Sequence, residues 1–427
     1  MKKHVLMIVC AVLFVFLLFP FADTMALTMK HDKLDRDIAC LTSGGIFQIQ
    51  AGDGKKCYEI YPHIDGHGKI MLYDYAKQDI SFLGGNDKDS LDNPAWLPDL
   101  MGGMTPTVTS DNLIFFKFGG LPVPEANHPG YDSFILVCDK NGGDRRYIYL
   151  NPWQEFDTGE IILDGDDCYF IAKEYSMNYE LKQCSLYKAN IIEGTLEMVY
   201  DFPLNNVYSI VGCYNDGIVF QRGVPQGVDK DAQGHECIRF HNALDLFNLD
   251  EGRMITDVLT WENGELSYTI DKDSKLYYSH CNENAIYSIN LDNLEKRIIS
   301  ANVLEGITDQ IGVFISGRVW DNHISISSRD DSVKEQLYYD LHNNKVVSVN
   351  LNVNVYGGLE RVMICDETDD SFFVKIGFNI LPTTKESACG DKYDVDEIVY
   401  QYALISKDDY WKSKAIYRRF EDNVHYQ

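Results

Sequence analysis

Short runs of alternating apolar and polar residues make up most of the chain. Between Lys275 and Ile299, KLYYSHC and AIYSINL alternate as strands do, NEN and DNLEK lie where turns are expected, and RII begins a third strand. Helical periodicity longer than two turns is absent from the sequence. The pattern therefore predicts an all-β protein.

The same plan of strands and turns recurs along the sequence. Seven stretches follow it, namely 56–83, 112–150, 168–202, 217–259, 275–299, 323–351 and 371–420. The predicted third strands end at Asp74, Asp139, Asn190, Asn248, Asn290, Asp340 and Ser406, with a mean spacing of about 55 residues. Most units carry one more strand upstream, such as NVYSIVGCY before NDGIVF, so each unit has four strands.

Four-stranded units repeated at this spacing are typical of a β-propeller. One such sheet has two apolar faces and cannot bury either of them alone, whereas radial packing lets each sheet cover its neighbours and ring closure protects the edges. We expect a single propeller domain over 27–427 with seven blades. Six or eight blades remain open, because the first unit is poorly marked.

The stretch LYYSHCNENAIYSINLDN resembles the YWTD-type propeller repeat. Tyr277, Tyr278, Ser279 and His280 occupy its first motif, and 291–293 (Leu-Asp-Asn) occupy the second, although the Trp, the Thr and the final Gly are missing. VCDKNGGDRRYIYL is similar to the Asp-x-x-Gly-x-x hairpin of TolB-like propellers. The resemblance implies a bacterial propeller of a secreted or surface protein, and little about activity, since such propellers are mostly interaction modules with many unrelated functions.

The N-terminus has the three-part pattern of a secretory signal. Lys2 and Lys3 precede an apolar run of 17 residues from Val5 to Phe21, and Ala26 offers a small residue for cleavage. Residues 1–26 are therefore predicted to be a signal peptide or, because the run is at the lower limit for spanning a bilayer, an uncleaved signal anchor. Cys10 lies inside the run, which disfavours a lipoprotein. We expect a secreted or cell-surface location.

The charge of the chain limits its partners. A formal net charge of −27 disfavours nucleic acid and anionic membrane surfaces, which both need basic residues. Membrane attachment is thus expected only if the N-terminal segment is retained as an anchor. The acidic surface accounts for solubility outside the cell. A role in attracting cations or cationic partners is the alternative.

Ten cysteines follow the apolar N-terminal run. Cys138, Cys213, Cys281 and Cys365 each end an apolar strand-like run, where cysteine usually serves as a small buried hydrophobe. We expect mostly free, buried thiols, in keeping with an anaerobic or reducing habitat. The alternative is one or two disulfides, with Cys168–Cys184 as the first pair to test, which would stabilise the fold by about 3 kcal/mol.

Known catalytic and metal-binding motifs are missing. The sequence contains no GxSxG, HExxH, Walker lysine or CxxC. His63, Asp65 and His67 alternate as a transition-metal site would, but Gly66 and Gly68 indicate a turn. Asp229, Asp231, Gln233 and Gly234 match the first half of an EF-hand loop, yet Phe240 stands where the last ligand should be. We therefore assign no catalytic, cofactor or metal residue and expect no cofactor.

Several segments are candidates for ligand contact. Trp96, Trp153 and Trp261 fall outside the best strand runs, and exposed tryptophans near carboxylates can stack on sugars. The acidic stretches 164–167 and 366–370 are predicted to be solvated hairpins. Long loops often build the binding face of a propeller, so Gly84–Thr107 and then Gly223–Cys237 are the first segments to consider.

These features predict an extracytoplasmic module that binds a protein or a glycan and catalyses no reaction. The alternative is a secreted hydrolase or lyase acting on glycans or peptides, with acidic residues around the central channel as general acid and base. A histidine and carboxylates within hydrogen-bond reach at the mouth of the channel would favour the enzyme.

Overall fold

The fold is a β-propeller, as the repeat predicts. The computed structural model describes residues 26–27, 38–40, 50–62, 68–83, 96–97, 104–119, 133–157, 160–230, 235–262, 264, 266–308, 312–330, 333, 335–355, 358–386 and 392–422. Within these ranges, seven antiparallel sheets form blades 1 to 7 in chain order, each with four strands named A to D from the inside outwards. Of the predicted signal segment 1–26, residues 1–25 lie outside the described residues.

The strand bounds follow the units of the sequence. The A strands of blades 1 to 7 are Gln50–Gly52, Met104–Val108, Ile162–Asp164, Val207–Tyr214, Leu266–Ile270, Val313–Trp320 and Met363–Glu367. The B strands are Lys56–Pro62, Asn112–Lys117, Asp167–Tyr175, Gly217–Lys230, Lys275–His280, His323–Ser328 and Ser371–Glu386. The C strands are Gly68–Asp74, Phe134–Asp139, Leu181–Asn190, Glu236–Asn248, Ile286–Asn290, Gln336–Asp340 and Lys392–Ser406. The D strands are Asp79–Phe82, Arg146–Tyr149, Thr195–Asp201, Arg253–Glu262, Lys296–Ser300, Lys345–Val349 and Arg418–Arg419.

Short strands supplement the blades. Ala26–Leu27, Ile38–Cys40, Trp96–Leu97, Gln154–Phe156 and Glu421–Asp422 join blades 1 or 3, and Asn352–Val355 pairs with Gly358–Arg361 between blades 6 and 7. Helical structure in the described ranges is confined to Lys407–Trp411. No helix there has the length and apolar character needed to cross a membrane.

The core lies between the blades. The described residues form seven apolar clusters, one at each junction of neighbouring blades including blades 7 and 1, so the ring is closed. At the closing junction, Tyr73 and Phe373 pack with ring centroids 5.5 Å apart. Glu421 and Asp422 then pair in parallel with Asp79 and Ile80 at the outer edge of blade 1. Each blade thus buries both faces against its neighbours, which is the reason for the repeat.

The recurring residue at the end of each C strand holds the next turn. In six blades this Asp or Asn accepts backbone N–H groups of the CD turn, as Asp74 Oδ1 does from Ala76 (3.1 Å) and Lys77 (3.0 Å). The other five are Asp139, Asn190, Asn248, Asn290 and Asp340. Such side chain–backbone bonds favour Asp and Asn at the start of turns, which explains the regular spacing.

Blade 7 uses a helix in place of this turn. Ser406 is the N-cap of Lys407–Trp411 and accepts from the backbone N–H of Asp409 at 3.1 Å. The helix links blade 7 to blade 6 through Trp411. The ring of Trp411 stacks on that of His323 with centroids 3.8 Å apart, and its Nε1 donates to Asp321 Oδ2 at 2.8 Å. Lys407 Nζ lies 2.6 Å from Glu367 Oε1.

Replacing Ser406 by alanine should lower the free energy of unfolding by about 1 kcal/mol, since one N–H of the helix loses its acceptor. The midpoint of urea unfolding measures this loss. Ser406→Asp retains an acceptor and should keep the wild-type midpoint. Equal midpoints for all three proteins would mean that the cap does not stabilise the junction.

The cysteines are mostly buried thiols. Eight cysteines of the described ranges are free, seven of them buried, and Cys237 is partly exposed. The proposed Cys168–Cys184 disulfide is wrong. The register pairs Cys168 with Ala189 and Cys184 with Lys173, and the two side chains pack into clusters on opposite faces of blade 3.

Candidate binding face

The two faces of the ring differ in their connections. Antiparallel strands that follow one another place the AB and CD turns at one end of every blade, and the BC and DA connections at the other. We call these ends the turn face and the loop face. AB turns are short, with two residues between Tyr214 and Gly217 and four between Ile270 and Lys275. The turn face is therefore built mainly of tight turns.

The long connections belong to the loop face. The BC hairpins of blades 4 and 7 extend well beyond the others, with strands of 14 and 13 residues in blade 4 and of 16 and 15 in blade 7. The two-stranded sheet of Asn352–Val355 and Gly358–Arg361 lies in the DA connection between blades 6 and 7. These insertions make the loop face the more irregular of the two.

Both insertions that the sequence indicated belong to this face. Gly84–Thr107 joins strand D of blade 1 to blade 2, and its described part includes Trp96–Leu97, which pairs with Gly68 and Lys69. Gly223–Cys237 is the tip of the blade 4 hairpin, mostly paired as strand, as in Asp229 with Cys237. The rest of Gly84–Thr107 up to residue 103, and residues 231–234, lie outside the described residues.

Two N-terminal strands extend the blades towards the axis of the ring. Ala26–Leu27 runs parallel to strand A of blade 1, pairing with Ala51 and Gly52. Ile38–Cys40 pairs antiparallel with Ile162–Asp164, strand A of blade 3. The inner edges of these two blades are thus covered by the chain itself.

A polar and aromatic group lies at the loop end of blade 3. Lys173 Nζ is 2.5 Å from Asp157 Oδ1. Burial lowers the pKa of Lys173, but Asp157 and the neighbouring Glu155 raise it, and the net shift is upward. Burial, together with Glu155, raises the pKa of Tyr175. Lysine stays protonated and tyrosine stays neutral here, and they are hydrogen-bonded to Asp157 and Glu155.

Trp153 stands beside this group. Its ring is partly exposed and makes an edge contact with Tyr179, with centroids 6.0 Å apart. Its carbonyl accepts from the N–H of Tyr175 at 3.0 Å, which fixes it at the end of strand B. The sequence placed Trp153 outside strands and near carboxylates, and the structure agrees with both.

Trp261 differs from its prediction. It lies inside strand D of blade 4, 7% exposed, and packs against Tyr268 with centroids 5.8 Å apart. The interpretation of Trp261 as an exposed sugar-stacking residue is therefore wrong. The side chain of Trp96 lies outside the described residues.

A partly buried ion pair lies where the blade 4 hairpin begins to project. Arg222 donates from Nε to Asp245 Oδ2 at 2.7 Å, and its NH2 group lies 2.6 Å from Asp257 Oδ1. Hydrogen bonding to Asp245 raises the pKa of Arg222, so it stays charged. Further out, His241 Nδ1 lies 3.0 Å from Glu262 Oε1. These contacts link strands B, C and D of blade 4 at the root of the projecting hairpin.

The two sequence motifs considered as metal sites are not assigned a metal. His63, Asp65 and His67 lie outside the described residues, as do Asp231, Gln233 and Gly234. Asp229 is in strand B of blade 4, with its carboxylate 3.7 Å from Arg239 NH1, and Phe240 is in strand C. Among the described residues, no group of three or more His, Cys, Asp or Glu could hold a metal ion.

The acidic stretches were predicted to be solvated hairpins, and this is only partly correct. Asp166, Asp369 and Asp370 are exposed turn residues. Asp366, however, belongs to strand A of blade 7 and is 1% exposed. Its Oδ2 accepts from the hydroxyl of Tyr75 at 2.5 Å.

Asp366 lies at the junction of blades 7 and 1. A Cβ on Gly52 would overlap its carboxylate, so only glycine fits opposite it. Burial raises the pKa of Asp366 to about 7, more than the hydrogen bonds from Tyr75 and the backbone lower it. A titrating carboxyl in this position was not foreseen, because DETDD has the composition of a turn and the partners of Asp366 are distant in sequence.

Comparison with known proteins finds distant structural similarities only. No family model and no curated protein matches this chain. Among solved structures it is similar to the β-propeller domain of the Trilobed protease from Pyrococcus furiosus, with 8% identity, 88% of this chain and 96% of that chain covered, and a TM-score of 0.44. It is also similar to TolB from Acinetobacter baumannii, with 12% identity, 87% of this chain and 79% of that chain covered, and a TM-score of 0.34. A third similar structure is an oligogalacturonate lyase from Vibrio parahaemolyticus, with 12% identity, 90% of this chain and 97% of that chain covered, and a TM-score of 0.43. Similarities this distant carry no argument about substrate or partner.

Proposed function

We propose that the protein is an extracytoplasmic binding module that holds a protein or glycan ligand on its loop face. The observation that carries this proposal is the concentration of long connections there, above all the hairpins of blades 4 and 7. Variable loops on a rigid scaffold are the usual site of recognition. The N-terminal segment 1–26 would direct export and, if it is retained, would anchor the module to the membrane.

The titratable groups favour binding over catalysis. A nucleophile or general base should titrate near neutral pH, yet burial raises the pKa of Cys138 to about 12 and that of Cys184 to about 11. Lys173 and Tyr175 are also shifted away from neutrality. Asp366 titrates near neutral pH, but it is buried between two blades.

Two of the described histidines, which lie near carboxylates, also fit a binding role better. His241 meets Glu262 on blade 4, and His323 Nε2 lies 3.8 Å from Asp340 Oδ2 beneath Trp411 on the turn face. Each pairs with a single carboxylate. A hydrolase or lyase would need a histidine and carboxylates converging where a substrate can reach them.

Binding should fail when the loop face is altered. We expect residues 27–427 to be stabilised by a ligand from a panel of soluble neutral and acidic oligosaccharides, by about 2.7 kcal/mol at 100 times the dissociation constant. Trp153→Ala should weaken a glycan by about tenfold or more, because the stacking surface is lost. Thermal unfolding with and without each oligosaccharide gives both values.

The controls separate ligand classes and faces. Replacing 225–240 by Asn-Gly shortens the blade 4 hairpin, while a Gly-Ser insertion after Glu193 alters an exposed turn on the other face. The proposal is supported if the shortened hairpin no longer binds an identified ligand while the variant with the Gly-Ser insertion still binds it. A protein ligand should be lost from the shortened hairpin but still bind Trp153→Ala. Retention of the ligand in both loop-face variants, or turnover of a substrate abolished by point changes in one pocket, would overturn it.

A further inference from the structure

A cleft opens between blades 5 and 6 on the turn face, opposite the proposed binding face. Its volume is about 440 Å³, and it is lined by Asp271, Tyr277 and Leu341 among other residues. Asp271 begins the AB turn of blade 5 and is 8% exposed, while Leu341 follows strand C of blade 6. The significance of this cleft appears when the same position is compared at other junctions.

At three junctions, a carboxylate of one blade is bound by the first residue after strand C of the next blade. Lys140 Nζ lies 2.6 Å from Asp53 Oδ2 at junction 1/2, and Lys407 Nζ lies 3.6 Å from Asp321 Oδ1 at junction 6/7. At junction 7/1 the donor is Tyr75, which binds Asp366. Each of these carboxylates thus receives a donor from the same position of its neighbour.

Junction 5/6 keeps the carboxylate but not the donor. Asp271 Oδ1 accepts from the N–H groups of Asp273 (2.8 Å) and Lys275 (2.9 Å), as Asp53 Oδ1 accepts from Lys55 (2.9 Å) and Lys56 (2.7 Å). Its Oδ2 accepts from Tyr277 at 3.1 Å. The donor position is occupied by Leu341, which cannot donate from its side chain.

Leu341 is held in the same way as the donors at the other junctions. Its N–H donates to Asn322 O at 3.0 Å, just as that of Tyr75 donates to Lys55 O at 3.1 Å and that of Lys407 to Asp370 O at 3.0 Å. The backbone positions of these residues therefore correspond, whereas the side chain at junction 5/6 is apolar. Leu341 and Asp271 both line the cleft at this position.

We propose that this cleft binds the primary ammonium group of a ligand, at the place that Lys140 Nζ takes at junction 1/2. The ammonium would meet Asp271 and lie near the ring of Tyr277, as Lys140 Nζ lies 5.5 Å from the ring centroid of Tyr58. A carboxylate with an aromatic ring is a suitable site for such a cation. The ligand is a lysine side chain of a protein partner or a small free amine, which share this chemistry.

The surrounding charges permit a cation. Asp273 and Glu295 add negative charge to the lining, while Lys275, Arg297 and His342 supply the basic groups. Arg297 is engaged by Glu295 through two hydrogen bonds of 2.9 and 3.0 Å. The chain as a whole carries a net charge of −27, which attracts cations over longer distances. The proposal is independent of the function proposed for the loop face.

The test uses 1,5-diaminopentane, Nα-acetyl-lysine amide and the neutral Nα,Nε-diacetyl-lysine amide as probes in calorimetric titration at low salt. Both amines, or the lysine derivative alone, should bind residues 27–427, and the diacetyl compound should not. Asp271→Asn keeps an acceptor for the turn and should weaken amine binding by about tenfold or more. Binding of diaminopentane as tight as that of the lysine derivative identifies a free amine, whereas selective binding of the derivative identifies a peptide lysine.

A second variant fills the cleft. Leu341→Lys supplies the missing donor, so it should abolish amine binding while leaving the unfolding midpoint unchanged or higher. In the reverse exchange, Lys140→Leu should create an amine site at Asp53 and be restabilised by n-butylamine. The proposal is overturned if the wild-type protein binds no amine at about 10 mM in low salt, if Leu341→Lys binds amines as the wild type does, or if Lys140→Leu gains no response.

Discussion

Replacing Gly52 by alanine should destabilise the protein by about 3 kcal/mol or more. A Cβ at this position would overlap the carboxylate of Asp366, which is held by Tyr75 and packed among buried side chains at the closing junction. Neither blade can move away without separating the apolar cluster. Chemical unfolding of the variant measures the loss.

Further variants show whether the destabilisation of Gly52→Ala comes from the clash with Asp366 or simply from replacing a glycine. Gly165→Ala is the control, since its Cβ would meet nothing within 4 Å and the φ of +58° alone should cost about 1 kcal/mol. Combining Gly52→Ala with Asp366→Ala removes the clash, so the double variant should be more stable than the sum of the two single losses by at least about 1 kcal/mol. Strict additivity would show that Asp366 is not the group that excludes a side chain at Gly52.

Raising the pH through neutrality should weaken the ring through Asp366. Burial raises its pKa from 3.8 to about 7 in the folded protein. Between these values the folded state keeps a proton that the unfolded chain has lost, so the free energy of unfolding falls by up to about 1.4 kcal/mol per pH unit. This contribution is fully present below pH 3.8 and is lost as the pH rises through 7, about 4 kcal/mol in total.

The pH effect is measured by urea unfolding between pH 5 and 8.5. Asp366→Asn cannot ionise, so its stability should fall less with pH than that of the wild type. The control is Asp369→Asn, which removes one negative charge from an exposed position of the turn that follows the strand of Asp366, and it should keep the wild-type slope. Parallel slopes for the wild type and Asp366→Asn would contradict the prediction.

The architecture was predictable because the sequence of each blade carries the pattern of its own strands and turns. Alternation marks the strands, and the Asp or Asn at the end of strand C recurs since it binds the backbone of the following turn, as Asp340 does with His342 and Asn343 at 2.9 Å. Neither feature depends on distant residues. The seven units of the sequence therefore match the seven described blades.

The interior of the junctions was not predictable, because it depends on pairs of residues far apart in sequence. Asp366 resembles its exposed neighbours in composition, and only its approach to Gly52 and Tyr75 makes it buried. Cys168 and Cys184 have a suitable spacing, yet the register places them on opposite faces of one sheet. Leu341 is unremarkable in sequence and gains meaning only when junctions are compared.

The closing junction has a consequence for how the protein folds during synthesis. Blade 1 is translated first, but the hydroxyl of Tyr402 that binds its Glu59 follows 343 residues later, and the strand of Glu421–Asp422 later still. At usual rates of translation this takes about 20 to 70 seconds. Throughout that time the aromatic side of blade 1, with Met71 and Tyr73, lacks its cover. The nascent ring is thus an open chain of blades until its last unit appears, and a chain interrupted before that point exposes an apolar surface and an unpaired strand edge, the features through which unfinished β-proteins aggregate.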